Sequence, residues 1–356
     1  MIYYLSEFSN IGGIENYGRD FIKQFYQQYK YVKFKILCSS ENCIFEDEFT
    51  QMGIEIVYLP NFKKHPLKFY KTAKAIFSSF NNNDLLHYNL CSFRNVLLFH
   101  AIKKTNIKSI LVGHFNKPIG RLKLLHSFSK NHYKNLSINV AVSESNRNSL
   151  FSRKADVKII ENGITDSFSY SLKGRNRIRE KYGISKDTVL IGHVGRFSSE
   201  KNQQFSLNFL EAITKTKKIK LLFLGTGDRE DIVNEVKKRN LGDKVIFDYC
   251  SPSVVQDYYS AFDYVVIPSI QESFSLALIE AVACGAKIIV SFGVPDLKIP
   301  YNGVKRVGFD ILEWKKAFDT LEQTEINRNS SLLPDSFRLS NTCKQYYNLY
   351  KKTLEI

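Results

Sequence analysis

Short runs of consecutive apolar residues, rich in Val, Ile and Leu, recur along the chain and alternate with segments of helical period. In the first half the runs are IYYLSE, FKILCSS, EIVYLP, LLHYNL, KSILVGHF, INVAVS and VKIIENG. In the second half they are TVLIGHVGR, KLLFLGTG, KVIFDYC, DYVVIPS and KIIVSFG. Between them lie amphipathic stretches such as ENYGRDFIKQFYQQY, HPLKFYKTAKAIFSSF, NQQFSLNFLEAITKT, REDIVNEVKKRNLG and SLALIEAVACG. A strand with one wet face alternates apolar and polar residues; these runs are nearly continuous, so both faces are covered and the sheets are parallel. Two such series in 356 residues predict two doubly wound, Rossmann-like α/β domains facing across a cleft. Ligands of such sheets bind beyond the carboxyl ends of the strands. The polar stretch 161–183 lacks a strand pattern and reads as the junction. The chain closes in an amphipathic helix, FRLSNTCKQYYNLYKKTLEI. Beyond a short NNND there is no low-complexity segment, and no repeat of 20–50 residues occurs.

A composition of 44% hydrophobic and 24% charged residues is that of a soluble globular chain. No apolar run reaches the roughly 18 residues of a membrane span, and MIYYLSEFSN lacks the basic region of a secretory signal. A cytoplasmic protein is expected. The six cysteines form no CxxC pair and no zinc spacing, which predicts reduced thiols packed as small apolar side chains. The net charge of +16 is uneven: residues 1–165 hold 23 Lys and Arg against 12 Asp and Glu, a balance of +11. A basic N-terminal half suits an anionic partner, whether nucleic acid, an acidic membrane surface or phosphate groups. The segments 61–80 and 121–136 mix Lys and Arg with Phe, Leu and Tyr. Each fits a helix on an anionic bilayer or a solvated helix whose apolar side meets the core.

The chemistry concentrates where strands end. In GHVGRFSSEKN, Gly195 follows a strand, Arg196 comes next, and Lys201 stands where a helix opens. Two cations at a strand–helix turn can hold a diphosphate; ordinary surface cations are the alternative. No GxxxxGK[ST] occurs, so this is no P-loop. LFLGTGDRE carries Gly225 and Gly227 without the third glycine of a dinucleotide fingerprint, so a plain tight turn competes with a ligand contact. In PSIQESFSLALIEAVACGAKIIVS, Glu272 precedes an apolar run and Glu280 lies inside it. The helix should begin near Ser273 or Ser275, either able to cap it, and end before Gly285. The amides of Phe274, Ser275 and Leu276 would then face an anion, with Glu272 in the preceding loop. Glu280, one to two turns along, could accept both hydroxyls of a ribose. As a helical pair the two acids would stand about 12 Å apart, too far for a glycosidase, whose carboxyls sit roughly 5–9.5 Å apart. In the first half, Gly12 and Gly13 open the first helix, where backbone can approach a phosphate or sugar. His87 and His114 each read as ending a strand, a position shared by structural and functional histidines.

In their order these motifs resemble the family-4 retaining glycosyltransferases of the GT-B fold. GGIENYGRDF, LVGHF, VAVSES, IIENGI, VGRFSSEKNQQF, LLFLGTGD, PSIQESFSLALIEAVACGAKIIVS and the Tyr-rich closing helix carry the resemblance. It is strongest to members that build capsular or exopolysaccharide repeat units. The resemblance implies an acceptor-binding domain at 1–165, a nucleotide-sugar-binding domain at 166–335 and a final helix, 336–356, that returns to the first domain. It implies transfer of a sugar from a nucleotide diphosphate, most commonly UDP, with retention and without a metal or other cofactor. By matching position, Arg196 and Lys201 would hold the diphosphate beside Gly195, Glu280 would bind the ribose, and Glu272 would contact the donor sugar alongside the 274–276 amides. His114 would contact the sugar near its reacting carbon, and Gly13 would line the phosphate site. The implied acceptor is a lipid-linked glycan at the inner membrane face. Two positions depart from the pattern: serines stand at 273 and 275 where glycine is common, and Ser291–Phe292 replaces the usual Ser–Asp. Rival readings are a nucleotide-sugar epimerase of the same architecture, distinguished by turnover of donor alone, and a non-catalytic partner subunit. Nucleic-acid binding rests on charge alone and finds no motif.

Overall fold

The structure, a computed structural model, describes residues 1–9, 12–61, 64–90, 102, 105, 107–115, 138–151, 153, 155–214, 218–330 and 332–355. The basic segment 121–136 and Cys91 lie outside them. Two compact units divide the chain: Met1–Thr165 with Leu339–Ile356, and Asp166–Arg338.

The first unit is built on seven parallel strands: β1 (Ile2–Ser6), β2 (Phe34–Cys38), β3 (Glu55–Tyr58), β4 (Leu85–Leu90), β5 (Lys108–Gly113), β6 (Ile138–Ala141) and β7 (Val157–Ile159). Their order across the sheet is β3-β2-β1-β4-β5-β6-β7. The described helices are α1 (Gly13–Gln28), α2 (Glu46–Gln51), α3 (Pro66–Ser78), α4 (Glu144–Leu150) and, from the far end of the chain, a terminal helix at Leu339–Leu354. That helix lies on α1 through an aromatic seam. Tyr346 meets Phe21 edge-on at 5.3 Å, and Tyr347 stacks on Tyr29 at 4.1 Å. Such offset and edge contacts add to the gain from burial. In α3 the 3.6-residue period buries Phe69, Ala73 and Phe77 and leaves Lys68, Lys71 and Lys74 exposed, with Leu67 at 77% exposure beside them. One correction concerns His87. It is the third of six residues in β4 and is buried, so it does not end a strand.

The second unit has six parallel strands: β8 (Val189–Val194), β9 (Ile219–Leu224), β10 (Val245–Asp248), β11 (Tyr264–Ile267), β12 (Lys287–Ser291) and β13 (Val304–Val307), ordered β10-β9-β8-β11-β12-β13. Its helices are α5 (Leu172–Lys181), α6 (Gln203–Ile213), α7 (Glu230–Lys238), α8 (Val255–Ala261), α9 (Leu276–Ala283) and α10 (Ile311–Glu322); the terminal helix is α11. Phe209, Phe223, Trp314 and Phe318 anchor one core layer. The two units divide within the polar stretch 161–183, after Thr165, and α5 lies in its second half. Arg175 and Arg179 of α5 both pair with Asp263, at 2.7 and 3.0 Å. Arg179 is buried and also donates to the carbonyls of Ala261, Ser185 and Thr188.

Truncating Arg179 leaves those carbonyls without their donor. Arg179→Ala should cost about 3 kcal/mol and lower the unfolding transition of the second unit by roughly 6–12 °C. Differential scanning calorimetry of the full chain reads the shift.

Candidate active site

Because all six strands of the second unit run parallel, the loops that follow them share one edge of the sheet. The strand order turns back between β8 and β11, and at such a switch point the loops part and leave a crevice. The loops there carry Gly195, Arg196 and Lys201 after β8, and Glu272 after β11.

The two loops are fastened together. The Ile270 amide donates to the Glu200 carbonyl at 2.8 Å, and Asn202 Nδ2 reaches the Pro268 carbonyl at 3.3 Å. Across this contact Lys201 Nζ lies 3.0 Å from Glu272 Oε1. Ser269 Oγ donates to the same oxygen at 2.5 Å. Ser291 Oγ in turn donates to the Ser269 carbonyl at 2.5 Å, and the Glu272 amide donates to the Gly293 carbonyl at 2.9 Å. A Cβ on Gly293 would come within 2.3 Å of both the Ser269 and Ile270 carbonyl oxygens, so only glycine lets the β12 loop hold the Glu272 loop this closely.

Arg196 is exposed, and among the described residues no partner engages its guanidinium. Its loop is braced from the β9 side. The Gly195 amide donates to the Leu224 carbonyl and the Phe197 amide to the Thr226 carbonyl, at 2.9 and 2.8 Å. A Cβ on Gly225 would sit 2.0 Å from the Gly195 carbonyl oxygen. Gly225 thus lets the loops after β8 and β9 touch. Beneath them His193 is buried against Ser206 Oγ at 2.8 Å. Burial, and then the Lys201 charge, push its pKa down to about 3.

Helix α9 begins at Leu276. Ser275 is its cap, the side-chain oxygen accepting from the Leu278 amide at 3.4 Å, and Ser273 is not. The amides of Phe274, Ser275 and Leu276 find no acceptor among the described residues, which leaves the positive end of the helix available. Glu280 lies half-buried on α9. Its charge reaches Tyr259 on α8 and Cys250 in the loop after β10. Burial is the larger cause in both cases, and Asp248 also acts on Cys250, whose thiol is pushed up to about 12. Glu272 is not helical, so the rise expected between two helical acids does not describe the pair. The two acids instead have different neighbours: Lys201 and Ser269 for one, Tyr259 and Cys250 for the other.

Gly13 and His114 belong to the first unit. Gly13 is the first residue of α1. The Glu15 carboxylate folds back over Gly12, close enough that a Cβ there would meet it at 2.4 Å. This end of α1 therefore already has an anion over it. His114 follows β5 and is 4% exposed. Its Nε2 lies 2.9 Å from Asn89 Oδ1, and burial lowers its pKa to about 4. The motifs gave no structural role to Ser269, Ser291, Gly293, Asn202 or Asn89. Ser269 meets Glu272 only three residues on, but Ser291, Gly293 and Asn202 bond far along the chain, where spacing does not reveal it; Asn202, at φ +57, is of a residue type that tolerates that conformation.

The family described as glycosyl transferases group 1 matches this chain over residues 174–309. An uncharacterized glycosyltransferase of Methanocaldococcus jannaschii is 30% identical over 225 residues, covering 58% of this chain and 57% of that protein. The O-antigen biosynthesis glycosyltransferase WclY of Escherichia coli is 26% identical over 208 residues, covering 56% of this chain and 57% of that protein. This chain thus spans rather more than half the length of each. Among solved structures, HepE of Anabaena in complex with UDP and glucose superposes with a TM-score of 0.78 at 15% identity, over 98% of both chains. At that identity the likeness is one of fold. Residues 174–309 thus match the group 1 glycosyl transferases, and the architecture is that of the GT-B fold.

Proposed function

We propose that the chain is a retaining hexosyltransferase that moves a sugar from a nucleotide diphosphate, UDP first among the candidates, to a lipid-linked or saccharide acceptor in cell-surface polysaccharide assembly. The observation that carries this reading is the Lys201–Glu272 pair at the switch point of the second sheet, 3.0 Å apart, with exposed Arg196 on the same loop as Lys201. A diphosphate needs cations and helix-end amides, and a sugar needs a carboxylate; this edge of the sheet offers all three. HepE, similar in fold, was solved with UDP and glucose, and the name of WclY refers to O-antigen.

In the proposed reaction Arg196 and Lys201 draw charge onto the diphosphate as the bond between the anomeric carbon and the phosphate oxygen breaks, the electron pair staying on that oxygen. The acceptor oxygen bonds to the anomeric carbon on the same face, and its proton passes to the departing phosphate oxygen. No dedicated base is then required. Glu280 takes the ribose hydroxyls. Glu272 takes the sugar hydroxyls, with the amides of Phe274, Ser275 and Leu276 beside it. In the first unit, His114 and Gly13 are assigned to sugar and phosphate by their motifs, and phosphate at Gly13 would have to displace the Glu15 carboxylate. The two side-chain cations supply the charge a metal would otherwise bring, so no cofactor is invoked. For the acceptor, the basic N-terminal half and the exposed Lys68, Lys71 and Lys74 with Leu67 support docking at an anionic inner membrane face. Among the described residues no helix is long and apolar enough to cross a membrane, and the proposed association is peripheral.

Thermal-shift screening against UDP- and GDP-sugars should select one donor, whose slow hydrolysis or transfer can be followed as nucleotide release. Lys201→Ala and Glu280→Ala should each lower that rate by at least about 100-fold while each variant stays folded and unfolds cooperatively; wild-type-like turnover in either variant refutes the assignment. A second expectation concerns metal: turnover should be unchanged after dialysis against EDTA, and recovery only on adding a divalent ion would overturn the two-cation mechanism.

A further inference from the structure

Three buried side chains stand behind His114. Asn89 Oδ1 receives His114 Nε2 at 2.9 Å and His87 Nε2 at 3.3 Å, and His87 Nδ1 lies 2.6 Å from the Tyr350 hydroxyl. The fold explains how they meet. His87 and Asn89 are two apart on β4, so they share one face of the strand. Asn89 is in register with Val112 of β5, and His114, two residues on and so on the same face, meets it diagonally across the strands. Tyr350 comes from α11, 263 positions from His87.

Proton arithmetic then fixes the ring states. An amide oxygen only accepts, so both Nε2 atoms carry hydrogen. Burial holds His87 at about 3 and His114 at about 4, so both rings are neutral and the second nitrogen of each is an acceptor. His87 Nδ1 must therefore accept from the Tyr350 hydroxyl. The reversed arrangement, with the amide of Asn89 turned over, would make Tyr350 the acceptor and leave its own buried O–H no acceptor among the described residues. Tyr350 thus selects one of two otherwise similar proton patterns. The titratable groups packed about the pair are Tyr4 of β1, Tyr17 of α1, and Cys343, Tyr346 and Tyr350 of α11. Burial raises the phenols of Tyr17, Tyr346 and Tyr350, which keeps them neutral.

We propose that Asn89, His87 and Tyr350 form a positioning relay that holds His114 as its Nε2–H tautomer, with Nδ1 as the acceptor, for the transfer reaction. The catalytic meaning of the relay rests on the role given to His114 above; its existence does not. The terminal helix is then part of the site's machinery as well as of the core, and the three residues act through His114.

The test uses the full chain labelled with 15N-histidine. Two-bond 15N–1H spectra should show His87 and His114 as neutral Nε2–H tautomers from pH 8 to pH 5. Tyr350→Phe should convert both signals to tautomer mixtures, and Asn89→Leu should do so for His114. An Nδ1–H tautomer at His114 in the unaltered chain, or a His114 signal unmoved in Tyr350→Phe, overturns the relay. Should Asn89→Leu fail to fold, the Tyr350→Phe spectra still decide. In turnover, Asn89→Leu should lower kcat about 100-fold with the donor KM within about threefold. Asn89→Asp puts a carboxylate between the rings and raises the pKa of the pair. Activity that needs neutral His114 is lost as pH falls through that pKa, so the acid limb, expected below pH 5 in the unaltered chain, should rise to about pH 6–7. A limb that does not move in Asn89→Asp contradicts the relay. A chain that turns over no nucleotide sugar refutes the proposed function, while the spectra still rule on the relay.

Discussion

An ammonium and a carboxylate 3.0 Å apart, Lys201 on Glu272, tie the two loops that flank the turning point of the second sheet. The carboxylate side chain is only 9% exposed and the lysine 28%. Removing such a pair from water costs more than its attraction returns unless further hydrogen bonds complete it. Here Ser269 donates one to the carboxylate, and Ser291 and Gly293 hold the backbone that carries Ser269 and Glu272. Groups fixed this way need little rearrangement when charge develops on a ligand, and preorganisation of that kind is where electrostatic catalysis gains most.

The two units treat their polar groups in opposite ways. In the second unit cation, anion and helix end meet at the sheet edge, with Lys201 and Glu272 paired there. In the first unit the histidines are stripped of charge by burial, and order comes from a chain of neutral hydrogen bonds ending on Tyr350. Both arrangements need a tightly fixed backbone, and parallel sheets provide it by placing successive strand ends side by side. Glycines at 225 and 293 then allow neighbouring loops to close to distances that no side chain permits.

Much of this was legible in the chain. The twelve continuous apolar runs all became strands, since a strand covered on both faces announces itself without help from its neighbours. β13 was missed because Lys305 and Arg306 interrupt VKRV and all four residues are half-buried. The junction was readable from the absence of a strand pattern at 161–183, but helix α5 within it was not, because its cations Arg175 and Arg179 turn inward to Asp263. The Ser275 cap could be read from a hydroxyl just ahead of an apolar run. Ser291 and Gly293 could not, because the neighbouring strands β11 and β12 set their bonds to the Ser269 carbonyl and the Glu272 amide, and Ser269 lies in a loop with no pattern to mark it. Asn89 was invisible because its bond to His114 joins neighbouring strands, and Tyr350, which bonds His87, lies at the far end of the sequence.

The central claim is that one nucleotide diphosphate is gripped by Lys201 and Glu280 together. Isothermal titration of UDP measures this most directly. The account predicts one site per chain, with affinity at least about tenfold weaker, near 1.4 kcal/mol, in both Lys201→Ala and Glu280→Ala. Equal affinity in both variants, or no binding of UDP, GDP or ADP by the unaltered chain, would contradict it.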